Sequence, residues 1–579
     1  MLVRIAIAIA ALLFSVRGAR LGAPVADDWA FLHHLRFTTF SWLDSLGGAY
    51  YWRPVSRQIA MSVESLWMER APWVGALVHL VLLVALVGVL YRMLRRVLPA
   101  TAAAAVASAP LLTEATRALL TWPSGVQHLL AMLAAALALH ETQARRLPTA
   151  LLAAAVALGS HESSVLVLAA LLWVARDTSR SPRQRLAWAL APLALLALWA
   201  SGYAVARAHG VLMPPQTSTP TDAIAKLPQL AGHLFESLFG LEDLAPSMAR
   251  AFAGMHLIVW LITLVALFRL PRTRQRQAFA FTALAGLVAA LPLALLLPDW
   301  NAWRASLPLL MIAIGLGGLI ASVDTRLAEA FVALRLVALL LAPTAPSSTQ
   351  EVPLTRSDLS FIRLARLQEL VASTRHELLA AHPSLPAGAH IAYWTMPGLA
   401  EVGFQAEKAA QVWYHDPALR FTGFGGLAGF TELPDALIGL DGTEPDHPAV
   451  VITPRALQLF ARGYTAARNN NAVAVDSLLA LALLAQPREV RAFNGQMLFT
   501  RANARAALGD DHVADSLLTL VIQRLPDHPG AYSLAAVLAA RRGATDEARR
   551  LATRALELDP NDAQASQMLR ELGTSQRLR

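Results

Sequence analysis

Apolar runs follow one another from residue 3 to residue 342, and they constrain this chain more than any other feature of its sequence. A helix needs about 20 predominantly apolar residues to cross the hydrocarbon core of a bilayer. Eleven candidate segments stand near 3–16, 73–91, 97–112, 122–140, 147–159, 163–176, 187–206, 251–269, 278–297, 303–322 and 328–342. Charged residues make up only 15% of the 579-residue chain, against about 25% in soluble proteins. That shortage excludes both a purely soluble globular domain and a disordered chain. The expected fold is mainly α, beginning with a polytopic bundle of membrane helices over residues 1–343, in contact with membrane lipid.

Arginine sets the threading, because cytoplasmic loops collect basic residues and the chain holds 47 Arg against 2 Lys. The stretch 147–176 reads as one long helix or as two. With two, Arg92, Arg95 and Arg96, then Arg145 and Arg146, then Arg176, Arg180, Arg183 and Arg185, then Arg269, Arg272, Arg274 and Arg276, and finally Arg326 all fall on one side. With one, the later clusters land opposite the earlier ones. The expectation is two helices, a cytoplasmic N-terminus and an extracytoplasmic tail after about 343. The first run also carries marks of a cleaved signal peptide, with Arg4 before a short apolar core and Gly18 and Ala19 after it; on either reading the next segment is outside. The formal charge of +9 divides into +11 over residues 1–343 and −2 over the rest. The basic excess is therefore a topology signal, and no nucleic-acid partner is expected. The lack of cysteine excludes disulfides, thiolate metal sites and a cysteine nucleophile.

From about 350 the composition becomes that of a soluble protein. Helical spacing covers 357–381, and the runs His390–Trp394, Leu419–Phe424 and Ala449–Ile452 read as short strands between turn signals such as Phe424-Gly425-Gly426. Residues 344–456 are expected to form a soluble extracytoplasmic α/β module. Beyond 457 the sequence repeats: Gly509 and Gly543, Ala514 and Ala548, Pro526 and Pro560, and Ala531 and Ala565 are each 34 residues apart. This is the tetratricopeptide (TPR) period. Asp476-Ser477-Leu478-Leu479 answers Asp515-Ser516-Leu517-Leu518 at a spacing of 39, as a degenerate earlier copy. Residues 457–579 thus read as two or three TPR-like helix pairs, either a helical cap or a groove for a protein partner.

Acids, aromatics and histidines of the membrane half concentrate in its exterior segments, the long loops 18–72 and 207–250 and the short turns 113–121, 160–162 and 298–304. The adjacent carboxylates Asp27 and Asp28, just past the first helix, suit general-base work or a cation. Tyr50-Tyr51-Trp52-Arg53-Pro54 follows on the same loop. Glu114 and Arg117 sit on the next turn, and the His161-Glu162 pair between two apolar helices is costly without partners. The last turn, Asp299-Trp300-Asn301-Ala302-Trp303-Arg304, offers a guanidinium whose planar fork suits a phosphate.

Taken in order, Asp27-Asp28, Tyr51-Trp52-Arg53-Pro54, Leu111-Leu112-Thr113-Glu114-Ala115 with Trp122 and Gly125, and His161-Glu162 where relatives usually show Lys-Glu resemble the GT-C superfamily of integral-membrane glycosyltransferases. Within it the chain is most similar to the transmembrane-and-tetratricopeptide-repeat proteins and their bacterial counterparts. The resemblance covers the membrane half to about residue 310 and the C-terminal repeats. It implies transfer of a sugar from a polyprenyl-phosphate donor to a protein or glycan acceptor on the periplasmic side of a bacterial inner membrane. It implies Asp27 or Asp28 as the base, with Arg53, Glu114, Arg117, His161, Glu162 and Arg304 at the donor phosphate or substrate. Arg304 is followed by Ala305 where relatives often have Tyr, so that match is partial. A divalent cation, Mg²⁺ or Mn²⁺, is compatible with the paired carboxylates. Two other classes compete: an inactive membrane-anchored TPR scaffold for envelope proteins, and a lipid-linked-sugar transporter, which ranks last because the spans hold few polar groups.

Overall fold

The computed structural model describes all residues except 1, 49, 175–180, 213–218, 243, 272, 298–299, 345–358, 397–399, 425–432, 444–447 and 578–579. Arg176, Arg180, Arg272, Asp299, Gly425 and Gly426 therefore lie outside the described residues. The chain divides into two compact units, one of Met1–Glu369 with Val402–Val412 and one of Leu370–Glu401 with Trp413–Arg579.

The first unit is helical. Among the described residues, five helices are long and apolar enough to cross a membrane: Trp73–Leu94, Pro182–Ala208, Pro246–Arg269, Arg274–Leu296 and Ala302–Val323. The expectation of eleven spans is not met at that standard. The stretches Val3–Ser15, Ala100–Leu112, Leu147–Ser160 and Glu162–Leu172 are apolar but shorter. Local chemistry explains the shortening. The run at 97–112 changes from α-helix to a 3₁₀ turn over Ala109–Leu112, where Pro110 has no N–H to give. The 14 residues of Leu147–Ser160 rise about 21 Å, against a hydrocarbon core of about 30 Å. The stretch 147–176 is two helices, Leu147–Ser160 and Val165–Val174, broken at an extended His161 with φ −161°.

Close approach of the helices Arg274–Ala290 and Ser306–Val323 depends on small residues. A Cβ on Gly315 would stand 2.4 Å from the backbone N of Ala283, and one on Gly286 would stand 2.8 Å from the Pro308 oxygen. The segment 18–72 is more ordered than a loop: it contains the helix Asp27–Phe37, a π-helix at Val55–Met61 and the turn Ser62–Glu64.

The second unit joins a small sheet to the repeats. Strands β1 (His390–Tyr393), β2 (Arg420–Gly423), β3 (Ala436–Gly439) and β4 (Val450–Ile452) lie in the order β2-β1-β3-β4. β1 runs parallel to β2 and β3, and β4 closes antiparallel on β3. Spacing misses β3, whose four residues are all buried and so lack the alternation that marks a half-buried strand. The TPR-like part has three helix pairs, Pro454–Arg468 with Ala472–Ala485, Arg491–Ala507 with Asp511–Arg524, and Pro529–Arg541 with Thr545–Leu558, followed by Ala563–Arg577. The turn inside each pair uses a left-handed residue, Asn470 at φ 54°, Gly509 at 77° and Gly543 at 78°. Ala514, Ala531, Ala548 and Ala565 are fully buried where helices meet, which explains the period: only small side chains fit there.

Candidate functional site

Arg53 and Glu162 form the centre of the candidate site in the first unit. Arg53 Nε donates to both Glu162 carboxylate oxygens at 3.0 Å, Nη2 donates to Oε2 at 2.7 Å, and Nη1 donates to Gln127 Oε1 at 2.9 Å. Burial alone would lower the Arg53 pKa, but the Glu162 charge and hydrogen bonds outweigh it and hold the value above the ordinary one. The helix break at His161 supplies Glu162, and the residue before Trp52-Arg53, Tyr51, holds a left-handed φ of 67°. Such conformations are costly away from glycine and concentrate at functional sites. Gly159 lets the π-helix come close, since a Cβ there would be 2.6 Å from Val55 Cγ2.

Arg57, which the sequence reading missed, stands four residues after Arg53 and is nearly fully buried. Its Nη1 donates to the carbonyls of Ser45, Tyr50 and Tyr51, and its Nε to Gln127 Oε1 at 3.2 Å. Burial, with Arg53 beside it, lowers its pKa to about 10, leaving it charged at neutral pH. The Arg53 guanidinium lies 4.4 Å from the Tyr51 ring centre, and the charge of Arg304, from the 3₁₀ turn Ala302–Ala305, reaches Tyr51 and His128. His128, also missed, has its ring centroid 4.7 Å from that of His161.

His161 does not act as a lysine would. Burial first, then the charges of Arg53 and Arg57, push its pKa well below the usual imidazole value, so the ring is neutral at pH 7. Its Nδ1 accepts from the Ser163 N–H at 3.2 Å, which assigns the remaining proton to Nε2. The cations at this centre are Arg53, Arg57 and Arg304, with His161 as a neutral donor.

The two aspartates separate. Asp28 is fully buried: Oδ2 accepts from the Val25 N–H at 2.9 Å, and Oδ1 accepts from the Ser124 N–H at 3.0 Å and from the Ser124 hydroxyl. Burial pushes its carboxyl well above the usual range, against the pull of those bonds. Asp28 ties the first turn of its helix to Ser124 and is buried away from solvent, whereas the other candidate for the base, Asp27, is not. Asp27 is exposed, takes a 3.4 Å contact from Gln405 Nε2, and acts electrostatically on Arg57. It follows Ala26, another left-handed residue, with φ 55°.

Glu114 and Arg117 pair with each other and with backbone groups inside the first unit. Both are buried; Arg117 Nη1 donates to Glu114 Oε2 at 2.8 Å, and Glu114 Oε1 accepts from the Phe361 N–H at 2.9 Å. The Arg117 guanidinium also lies 4.0 Å from the Phe361 ring centre and donates to the carbonyls of Ser15 and Pro343. Nearby Glu242 gives a pH signature. Burial first, then the Glu114 charge, raise its pKa from 4.5 to about 8. Because the folded value lies above the unfolded one, between pH 4.5 and about 8 the unfolded chain releases this proton and the folded chain keeps it. This group's contribution to stability therefore falls as pH rises through that window. Glu242→Gln should flatten the decline, which amounts to about 1.4 kcal/mol for every tenfold fall in proton concentration; thermal unfolding of both proteins from about pH 5 to 9 measures it, and an unchanged slope refutes the assignment.

Among the described residues, no group of three or more His, Asp or Glu side chains is placed to hold a metal ion. With Asp28 committed to Val25 and Ser124, the donor set does not fit a resident Mg²⁺ or Mn²⁺.

Comparison with known proteins gives little beyond this geometry. No family model matches the chain, and no curated protein matches it. Similar solved structures include the first TPR of Spaghetti (RPAP3) bound to an HSP90 peptide, 24% identical over 21% of this chain and 94% of that one, with a TM-score of 0.20. The Arabidopsis OM64 TPR domain is 16% identical over 21% of this chain and 96% of its own, at 0.19. The Cut9–Hcn1 assembly of the APC/C is 10% identical over 82% of this chain and 89% of its own, at 0.20. By its own elements the chain is mainly helical, with helix pairs of TPR-like period at its C-terminal end and several helices apolar enough for a membrane.

Proposed function

We propose that this protein is a GT-C-type membrane glycosyltransferase, moving a sugar from a polyprenyl-phosphate donor to a protein or glycan acceptor on the extracytoplasmic face of a bacterial inner membrane. One observation supports it above the others: the exposed carboxylate of Asp27 lies within electrostatic reach of a buried cationic centre built on Arg53 and Arg57. Displacement at a sugar carbon needs these two elements, a base for the acceptor proton and positive charge for the departing phosphate. In this reading Asp27 takes the proton from the acceptor hydroxyl as its oxygen bonds to the anomeric carbon, and the C–O bond to phosphate breaks with inversion. Arg53, Arg57 and Arg304 supply the positive field for the leaving group, while His161 Nε2–H donates a hydrogen bond to it. Glu162 holds Arg53 in place.

A second reading, the TPR scaffold, draws support from the three stacked helix pairs, whose concave side would take a protein partner. Mass spectrometry of lipid-linked sugars and glycosylated envelope components in wild-type and deletion strains separates the two. Accumulation of one polyprenyl-phosphate sugar on deletion is the expected result. Unchanged glycans, together with loss of the phenotype on removing residues 457–579 alone, would favour the scaffold.

A further inference from the structure

The helix Thr325–Leu341 carries Arg335, which is fully buried. Among the described residues none accepts a hydrogen bond from its Nε, Nη1 or Nη2. The guanidinium lies 5.6 Å from the centre of the Phe331 ring. The same ring is 5.6 Å from the imidazole of His256, on the helix Pro246–Arg269, which in turn is 4.4 Å from Phe239. His256 is also fully buried; its Nδ1 is 2.8 Å from the Phe252 carbonyl, its Nε2 has no partner among the described residues, and the Arg335 charge acts on it. Two polar groups thus share one aromatic-walled spot in the helical core with four nitrogens unsatisfied. A lone buried guanidinium is among the most costly groups a fold can hold, and an unsatisfied buried polar group calls for an explanation such as a bound ion.

We infer that Arg335 and His256 form a site for a phosphate oxyanion, distinct from the Arg53 centre. The chemistry favours phosphate. Arg335 offers five N–H donors in a planar fork, more than the two oxygens of a carboxylate satisfy, and a phosphate presents several oxygens in bidentate reach. Low dielectric among Phe239, Phe331 and the neighbouring helices strengthens such a pair. The helix bearing His256 is one of the least covered of the apolar helices, with 22% of an 18-residue stretch buried, so much of its apolar surface is open to an amphiphile. The oxyanion comes from a phospholipid headgroup or from free phosphate, and the inference holds for either. It does not depend on glycosyl transfer.

The test uses the purified full chain in maltoside micelles, which contain no phosphate. Thermal unfolding is followed against inorganic phosphate, with chloride at equal ionic strength as control, and against added phosphatidylglycerol, alongside a phosphorus count of the lipid that copurifies. The unfolding midpoint of the wild type should climb steadily with the logarithm of ligand concentration. A response to inorganic phosphate assigns the free ion; a response to phosphatidylglycerol alone assigns the lipid. Arg335→Met should abolish whichever response the wild type shows and, where that response is to the lipid, cut retained phospholipid about ten-fold. Should Arg335→Met fail to fold, the wild-type titration alone decides, since no response to either phosphate source overturns the site. A folded Arg335→Met protein whose midpoint still climbs with the same phosphate source as the wild type overturns it too.

Discussion

Asp27→Asn should reduce sugar transfer by roughly two to four orders of magnitude, the usual contribution of a positioned general base, while leaving the protein folded. Asp27 is exposed, and Gln405 approaches its carboxylate at 3.4 Å. Substitutions at such positions change stability by about 0.5 kcal/mol or less. Asp28→Asn should behave in the opposite way. Its carboxyl accepts from Val25 and Ser124 inside the unit, and an amide NH₂ turned toward either N–H leaves a buried donor unsatisfied, at about 1–3 kcal/mol. The measurements are transfer in membranes, read as loss of glycan product by mass spectrometry, and the unfolding midpoint of each purified variant. Full transfer by folded Asp27→Asn protein would remove Asp27 as the base and with it the main support for the enzymatic reading.

The second large effect concerns the Arg53–Glu162 pair and is expected first in folding. Removing one member of a buried pair leaves the other charge uncompensated and costs about 3–5 kcal/mol. The Glu162 side chain retains 24% exposure, so solvent relieves part of that penalty and Glu162→Gln should fall at or below the lower end. Arg53→Met should strand Glu162 and leave the Gln127 carbonyl oxygen with Arg57 as its remaining guanidinium donor. The double variant Arg53→Met, Glu162→Gln should be more stable than either single one, because both charges are gone together; the cycle of four proteins isolates the coupling. Additive effects in that cycle would mean the pair has no role in holding the π-helix to the His161 break. Arg53→Lys keeps the charge but loses the three-bond geometry, so it should fold better than Arg53→Met and still transfer poorly.

Much of this was legible in the sequence where near neighbours decide. The break at His161 followed from counting arginines on each side of the apolar runs, and the helix pairs after 457 followed from a 34-residue period imposed by buried alanines. The span count was less legible, since composition marks an apolar run but not that Pro110 turns one into a 3₁₀ segment or that Leu147–Ser160 has only 14 residues. β3 escaped because a fully buried strand of four residues has no alternation to detect. Arg57 left a faint signal, its spacing of four from Arg53. Arg335 left a signal that went unread, since it stands in the middle of the apolar run 328–342, where an ionisable group is costly.

By itself the sequence determined the classes of element, their repeat, and the short list Asp27, Asp28, Arg53, Glu114, Arg117, His161, Glu162 and Arg304, because apolar period, turn chemistry and charge density are local properties. The tertiary structure alone decided which of those charges meet. Arg53 finds Glu162 across 109 positions of chain, and Arg117 turns to Glu114 and to backbone carbonyls. Asp28 is committed to Ser124 while its neighbour Asp27 stays exposed. A buried charge takes its meaning from its partner, and long-range packing brings that partner from a distant part of the chain.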